Sequence, residues 1–205
     1  MSQWGRPPGS SFPRQPRPMP HPHPDACHIF LFTPLLLALG CSTATTFQEH
    51  PIMPVRVGDD APAIDLHLQD GRTANLTAFR GQRAVVLFFY PKDNTPVCTA
   101  EACSFRDAYA DFSDLDAEVI GVSSDTLTSH QQFAEKHRLP YLLASDKDGS
   151  LRRAFGVPRT LGFLPGRTTY VIDKAGQVRL VFSAAFSADK HVAEARRVLQ
   201  TLATE

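Results

Sequence analysis

The stretch Ala84-Val-Val-Leu-Phe-Phe-Tyr-Pro-Lys-Asp-Asn-Thr-Pro-Val-Cys-Thr-Ala-Glu-Ala-Cys103 decides how this chain folds. Its first part, residues 84–90, is a continuous apolar run rich in β-branched and aromatic residues, the pattern of a strand covered on both faces. The second part opens a helix. Thr95 is a good N-cap, and Pro96 fits the first helical position, where a missing N–H does no harm. Cys98 then falls in the first turn, facing unpaired backbone N–H groups and the positive end of the helix dipole. Both favour the thiolate, which is the nucleophilic form of cysteine. A buried strand running into a helix start is also where open α/β sheets place their ligand chemistry.

Outward from this unit, residues 119–122 read as a second buried strand. Residues 168–172 and 178–182 flank Asp173-Lys-Ala-Gly176, a hairpin signature. Helical patterns occupy stretches near 96–113, 127–138 and 148–155. A C-terminal helix begins at about 188, with Val192, Ala195, Leu199 and Leu202 on one stripe. Strands alternating with helices and ending in a hairpin and a helix predict a mixed α/β sandwich: a central mixed β-sheet flanked by helices. We assign it to residues 52–205, long enough to bury a real core.

Residues 1–50 have a different character. Eight of the 17 prolines fall in residues 1–24 among Gly, Ser and Arg, a composition that predicts disorder. Residues 29–40, IFLFTPLLLALG, form an uncharged run ending at Cys41. Twelve residues span roughly 18 Å as a helix, short of a ~30 Å hydrocarbon core, so no stable transmembrane helix is expected. The length suits the apolar region of a secretory signal, with Arg6, Arg14 and Arg17 upstream. Initiation at Met19 would discard all three arginines. Leu37-Ala-Leu-Gly-Cys41 resembles a bacterial lipobox, which implies cleavage before Cys41 and acylation of that residue as a membrane anchor; Ala38 departs from the large aliphatic residue usual there. The alternatives are an unlipidated export signal and a tail without targeting value. The expected location is that of an exported lipoprotein or periplasmic protein if the signal operates, and the cytoplasm if it does not.

Lys+Arg and Asp+Glu are both 21. With no net charge and no basic run interleaved with aromatics, nucleic-acid binding is not expected. The eight histidines show no metal-ligand spacing, and no metal site is expected. Arg106, Arg152 and Arg153 read as surface charges. Cys103 lies five positions after Cys98 on the same helix, which puts the two Cα atoms roughly 8.7 Å apart and about 140° round the axis. A disulfide wants its Cα atoms within about 7 Å. Once Cys98 is oxidised to a sulfenic acid, the helix must therefore partly unwind before Cys103 can reach it.

Pro91-x-x-x-Thr95-x-x-Cys98 resembles the peroxiredoxin active-site motif, and the C-x4-C spacing is similar to that of the Q-type subfamily (bacterioferritin comigratory protein). Val57-Gly-Asp-Asp-Ala-Pro-Ala-Ile-Asp-Leu66 also resembles the start of such domains. The departures are Val97, where many relatives carry Gly, and the N-terminal extension. The resemblance implies a thioredoxin-like fold and an antioxidant, thioredoxin-dependent peroxidase of the atypical 2-Cys kind. It implies that Cys98 is the peroxidatic and Cys103 the resolving cysteine, joined in a redox-active disulfide. Thr95 would offer its hydroxyl to thiolate and peroxide, and Pro91 would cover the thiolate. Arg167, at the start of a later strand, would stabilise the charge developing on the splitting O–O bond, with Glu101 orienting it. Also implied are a hydroperoxide substrate, thioredoxin or a similar dithiol protein as reductant, no bound cofactor and a monomer. Rival readings are a thiol–disulfide oxidoreductase, which the absence of CxxC disfavours, a redox-sensing module without turnover, and a metal-binding pair with only two ligands in view.

Overall fold

The computed structural model describes residues 53–159 and 165–204. Every residue of strand β3 (Ala84–Phe89) is buried, and the reason is alternation. Val86, Phe88 and Tyr90 enter one hydrophobic cluster, while Val85, Leu87 and Phe89 enter another on the opposite face. Strand β4 (Ala117–Ser123) is likewise buried throughout, so this part of the sheet is covered on both sides.

β3 pairs in parallel with β4 and antiparallel with β6 (Thr168–Ile172), which pairs antiparallel with β7 (Val178–Ser183). Three further strands complete the sheet: β1 (Asp65–Leu68), β2 (Thr73–Asn75) and β5 (Leu142–Ser145). The order across it is β2-β1-β5-β4-β3-β6-β7, with β5 parallel to β4 and antiparallel to β1. The sheet is therefore mixed, as expected.

Helices α1 (Pro96–Asp107) and α2 (Tyr109–Asp114) occupy the stretch read as one helix over 96–113. Ala108 breaks it with φ −94° and ψ 4°. Phe105 before the break and Phe112 after it both enter the core, 5.8 Å apart by ring centroid, so the kink lets two short helices bury aromatics in one cluster. Helices α3 (Leu127–His137), α4 (Ser150–Phe155) and α5 (Ala188–Leu202) follow the expected stretches.

One contact aims α1. Phe88 of β3 stacks on Phe105 with centroids 4.3 Å apart and an interplanar angle of 17°. Gly121 of β4 makes room for it, since a Cβ there would stand 2.7 Å from Leu143 and 2.8 Å from the Phe88 ring.

The tail reading, including Met19, residues 29–40 and Cys41, lies outside the described residues. Among the described residues, no helix is long and apolar enough to cross a membrane.

Candidate active site

Between β3 and α1 the chain runs through a short loop fastened by one buried carboxylate. Asp93, 4% exposed, accepts hydrogen bonds from the Tyr90 hydroxyl at 2.8 Å, from Ser129 Oγ at 2.8 Å and from His130 Nδ1 at 3.0 Å. Its own N–H donates to Asp125 Oδ2 at 2.8 Å. Burial alone would raise the Asp93 carboxyl, but the bonds from His130, Tyr90 and Ser129 outweigh it and hold the group below its ordinary 3.8. Asn94 takes the left-handed φ of 58°, a conformation Asn tolerates better than most side chains.

Thr95 enters α1 with extended backbone, and Pro96 follows at the first helical position, as the sequence predicts. Its side chain does not cap the helix. The hydroxyl instead donates to the carbonyl of Lys92 at 3.2 Å, closing the loop on itself. Thr95 and Pro91 are both half-buried.

Cys98 is 2% exposed. Its sulfur accepts a hydrogen bond from Arg167 Nη2 at 3.2 Å. Arg167 stands immediately before β6 and is also buried. Its Nη1 donates to Glu101 Oε2 and its Nε donates to the Ala185 carbonyl at 3.2 Å. One guanidinium thus links the thiol, a carboxylate of the same helix and the loop after β7. Behind Glu101 stands His191 of α5, fully buried. Its Nε2 faces the Ala184 carbonyl at 2.9 Å and must donate, which leaves Nδ1 to accept from the Thr169 hydroxyl at 2.8 Å. Glu101 Oε1 lies 3.7 Å from that Nδ1. Burial, with the positive Arg167 nearby, holds the ring below its ordinary 6.5 despite the bond to Ala184.

Cys103 is half-buried and, like Cys98, a free thiol. Both lie within the single helix α1, so the separation of roughly 8.7 Å expected from ideal geometry applies. Next to Cys103, the Tyr141 hydroxyl donates to the Ala102 carbonyl at 2.8 Å, and burial pushes the phenol well above its ordinary value.

Two of the three arginines read as surface charges are not simple ones. Arg152 has only 14% of its side chain exposed and donates to the carbonyls of Tyr90 and Gly166. Its surroundings come from strands distant in sequence, which is why local pattern did not reveal it. Arg106 is half-buried and donates to the His137 carbonyl at 3.0 Å; Arg153 is exposed, as expected. Asp93, His130 and His191 also escaped the sequence reading. Among the described residues no group of three His, Cys, Asp or Glu side chains could hold a metal ion.

A thiol buried at a helix start beside a buried arginine, outside any CxxC pair, fits the class of thiol enzymes distinct from CxxC oxidoreductases. Residues 57–181 match the model of the AhpC/TSA family. The chain is 47% identical over 166 residues to the chloroplastic peroxiredoxin Q of Populus jackii, covering 80% of this chain and 78% of that protein. Against its counterpart in Gentiana triflora the identity is 49%, over 72% of this chain and 68% of the relative. Among solved structures, the peroxidoxin BcpB of Mycobacterium tuberculosis superposes with a TM-score of 0.67 at 38% identity, covering 72% of this chain and 98% of the other. A Xanthomonas campestris bacterioferritin comigratory protein studied for alkyl peroxide reduction does so at 0.64 and 27%, covering 73% and 98%. The chain belongs to the AhpC/TSA family, as a thioredoxin-fold peroxiredoxin of the Q type, and it is a thiol-dependent peroxidase.

Proposed function

We propose that Cys98 is the sulfur that attacks the peroxide and that Cys103 resolves the product. The observation that carries this reading is the Arg167 guanidinium 3.2 Å from a Cys98 sulfur that is almost wholly shielded from water. A positive donor facing the sulfur in a water-shielded site is placed to act once the reaction starts, since it can bind the oxygen on which charge develops. The thiolate attacks one oxygen of the hydroperoxide; an S–O bond forms as the O–O bond breaks. Cys98 becomes a sulfenic acid, and the leaving oxygen takes a proton to depart as water or an alcohol. Thr95 serves as hydrogen-bond partner to the peroxide, its hydroxyl keeping acceptor capacity while it donates to Lys92. Pro91 limits water access from the loop side.

Resolution follows when the Cys103 thiol attacks the sulfenic sulfur. The S–S bond forms, and the hydroxide leaves as water with the proton from Cys103. The step needs α1 to open. Oxidation favours opening, because the sulfur that Arg167 faces loses its negative charge. Glu101, between the two cysteines, is held by the same arginine, so the helix and the guanidinium must part together. A dithiol protein of the thioredoxin kind then reduces the disulfide, and the enzyme works as a monomer over 52–205. Substrates are hydrogen peroxide and organic hydroperoxides; the alkyl peroxide chemistry of the Xanthomonas relative supports the second class. Residues 1–50 act in targeting, in keeping with the chloroplastic naming of the plant relatives, and export with cleavage before Cys41 is the form we favour. An acylated Cys41 at the N-terminus of membrane-fraction protein would support it; an intact, unacylated Met1 would end it.

The test is NADPH-coupled peroxide turnover with thioredoxin and its reductase. Cys98→Ser should be inactive. Cys103→Ser should perform one round of peroxide reduction and fail to recycle with thioredoxin. Wild-type turnover in the Cys98 variant would overturn the reading.

A further inference from the structure

Arg152 sits on α4, outside the strand–loop–helix unit that carries the thiol, yet one of its terminal nitrogens reaches that unit and the other reaches the approach to β6, where Arg167 stands. Nη2 donates to the carbonyl of Tyr90, the residue before Pro91. Nη1 donates at 3.0 Å to the carbonyl of Gly166, the residue before Arg167. The ladder between β3 and β6 has its last pair at Phe89 and Thr168. One step further, the Tyr90 N–H donates to the Val122 carbonyl of β4 at 3.0 Å, continuing the β3–β4 ladder rather than the pairing with β6. Arg152 therefore bridges the two chains just where their strand pairing ends.

The bridge is itself well seated. The guanidinium carbon lies 5.6 Å from the centre of the Phe89 ring. Nε is 3.7 Å from Asp146 Oδ2. Asp146 in turn accepts the N–H groups of Leu151 at 2.8 Å and Arg152 at 3.1 Å, fixing the start of α4. A planar guanidinium with donors in a fixed fork can hold two carbonyls at a set spacing, whereas an ammonium is a point donor on a flexible stem.

We propose that Arg152 is a positioning residue: by clamping the Tyr90 and Gly166 carbonyls it sets the distance between the loop leading to Cys98 and the strand start bearing Arg167. This rests on the roles proposed above for Cys98 and Arg167. Arg152 acts through the placement of Arg167 rather than by touching substrate. Its loss should therefore slow the reaction with peroxide, which needs the arginine at the breaking O–O bond, more than alkylation, which does not.

The test uses the full-length chain as wild type, Arg152→Lys, Arg152→Gln, Arg167→Lys and the Arg152→Lys/Arg167→Lys double variant, at a temperature where all five give the same far-ultraviolet circular dichroism. The rates of Cys98 with hydrogen peroxide and with iodoacetamide are followed by peptide mass. Arg152→Lys and Arg152→Gln should each slow the peroxide reaction by about tenfold or more while alkylation changes by less than about threefold. In the Arg167→Lys background, adding Arg152→Lys should cost less than about twofold, because residues acting as one unit are non-additive. Peroxide rates near wild type in either single variant would overturn the proposal, as would equal slowing with both reagents. So would the same factor in both backgrounds. If Cys98→Ser is inactive and Arg167→Lys slow while the Arg152 variants behave as wild type, the clamp alone fails; an active Cys98→Ser would sink the underlying roles.

Discussion

Arg167 concentrates the chemistry of this protein in a single side chain, buried and facing a sulfur, a carboxylate and a carbonyl. Replacing it with Met should slow Cys98 oxidation by about 10²- to 10³-fold, the usual effect of removing one donor to a developing oxyanion; stopped peroxide competition would measure it. Glu101→Gln leaves the buried guanidinium without its counter-charge, and breaking such a pair costs about 3 kcal/mol or more. Urea unfolding should show that loss, and an unchanged midpoint would mean the pair is not the counter-charge. Gly121→Ala would put a methyl group against Phe88 and Leu143, and should destabilise by about 1–3 kcal/mol, read in the same assay. At this scale Cys98, Pro96 and the helix start were legible because they follow from neighbours in sequence. Arg152, His130 and His191 were not, since each is given meaning by partners 14 or more positions away: Gly166 and Tyr90 for Arg152, Asp93 for His130, Thr169 for His191.

At the scale of elements, α1 has two demands on it. Phe88 stacking, Glu101 and Ala102 hold it against the sheet, yet the pairing of Cys98 with Cys103 requires its first turns to open. Amide hydrogen exchange over residues 98–104 should be slow in the reduced protein and fast in the oxidised one, with α5 unchanged; equal protection in both forms would argue against unwinding. α5 carries its own signature. A His191 ring held below 6.5 by burial is neutral in the folded chain over a pH range where the unfolded chain already binds a proton. Stability is therefore full above pH 6.5 and declines as pH falls from 6.5 toward the folded-state value. His191→Asn should give a flatter melting temperature between pH 7 and 5 than wild type; parallel curves would contradict this. The missed strands β1, β2 and β5 are three or four residues long. Runs that short carry too few alternations to stand out, and β5 is a strand because β4 and β1 flank it.

For the whole molecule, the mixed sheet with helices on both faces was readable because β3 and β4 are apolar throughout, which only a doubly covered sheet explains. Strand order was not, since it is set by which crossover each helix makes. The same architecture sets β6 beside β3 and so brings Arg167, at the start of β6, to a helix start some 70 residues earlier, so the site exists only in the folded chain. Its most direct test is the intact mass of the full-length protein after one equivalent of hydrogen peroxide. We predict the loss of two hydrogens in wild type, a gain of one oxygen at Cys98 in Cys103→Ser, and no change in Cys98→Ser. An unaltered loss of two hydrogens in Cys98→Ser would contradict the central role of the buried thiol.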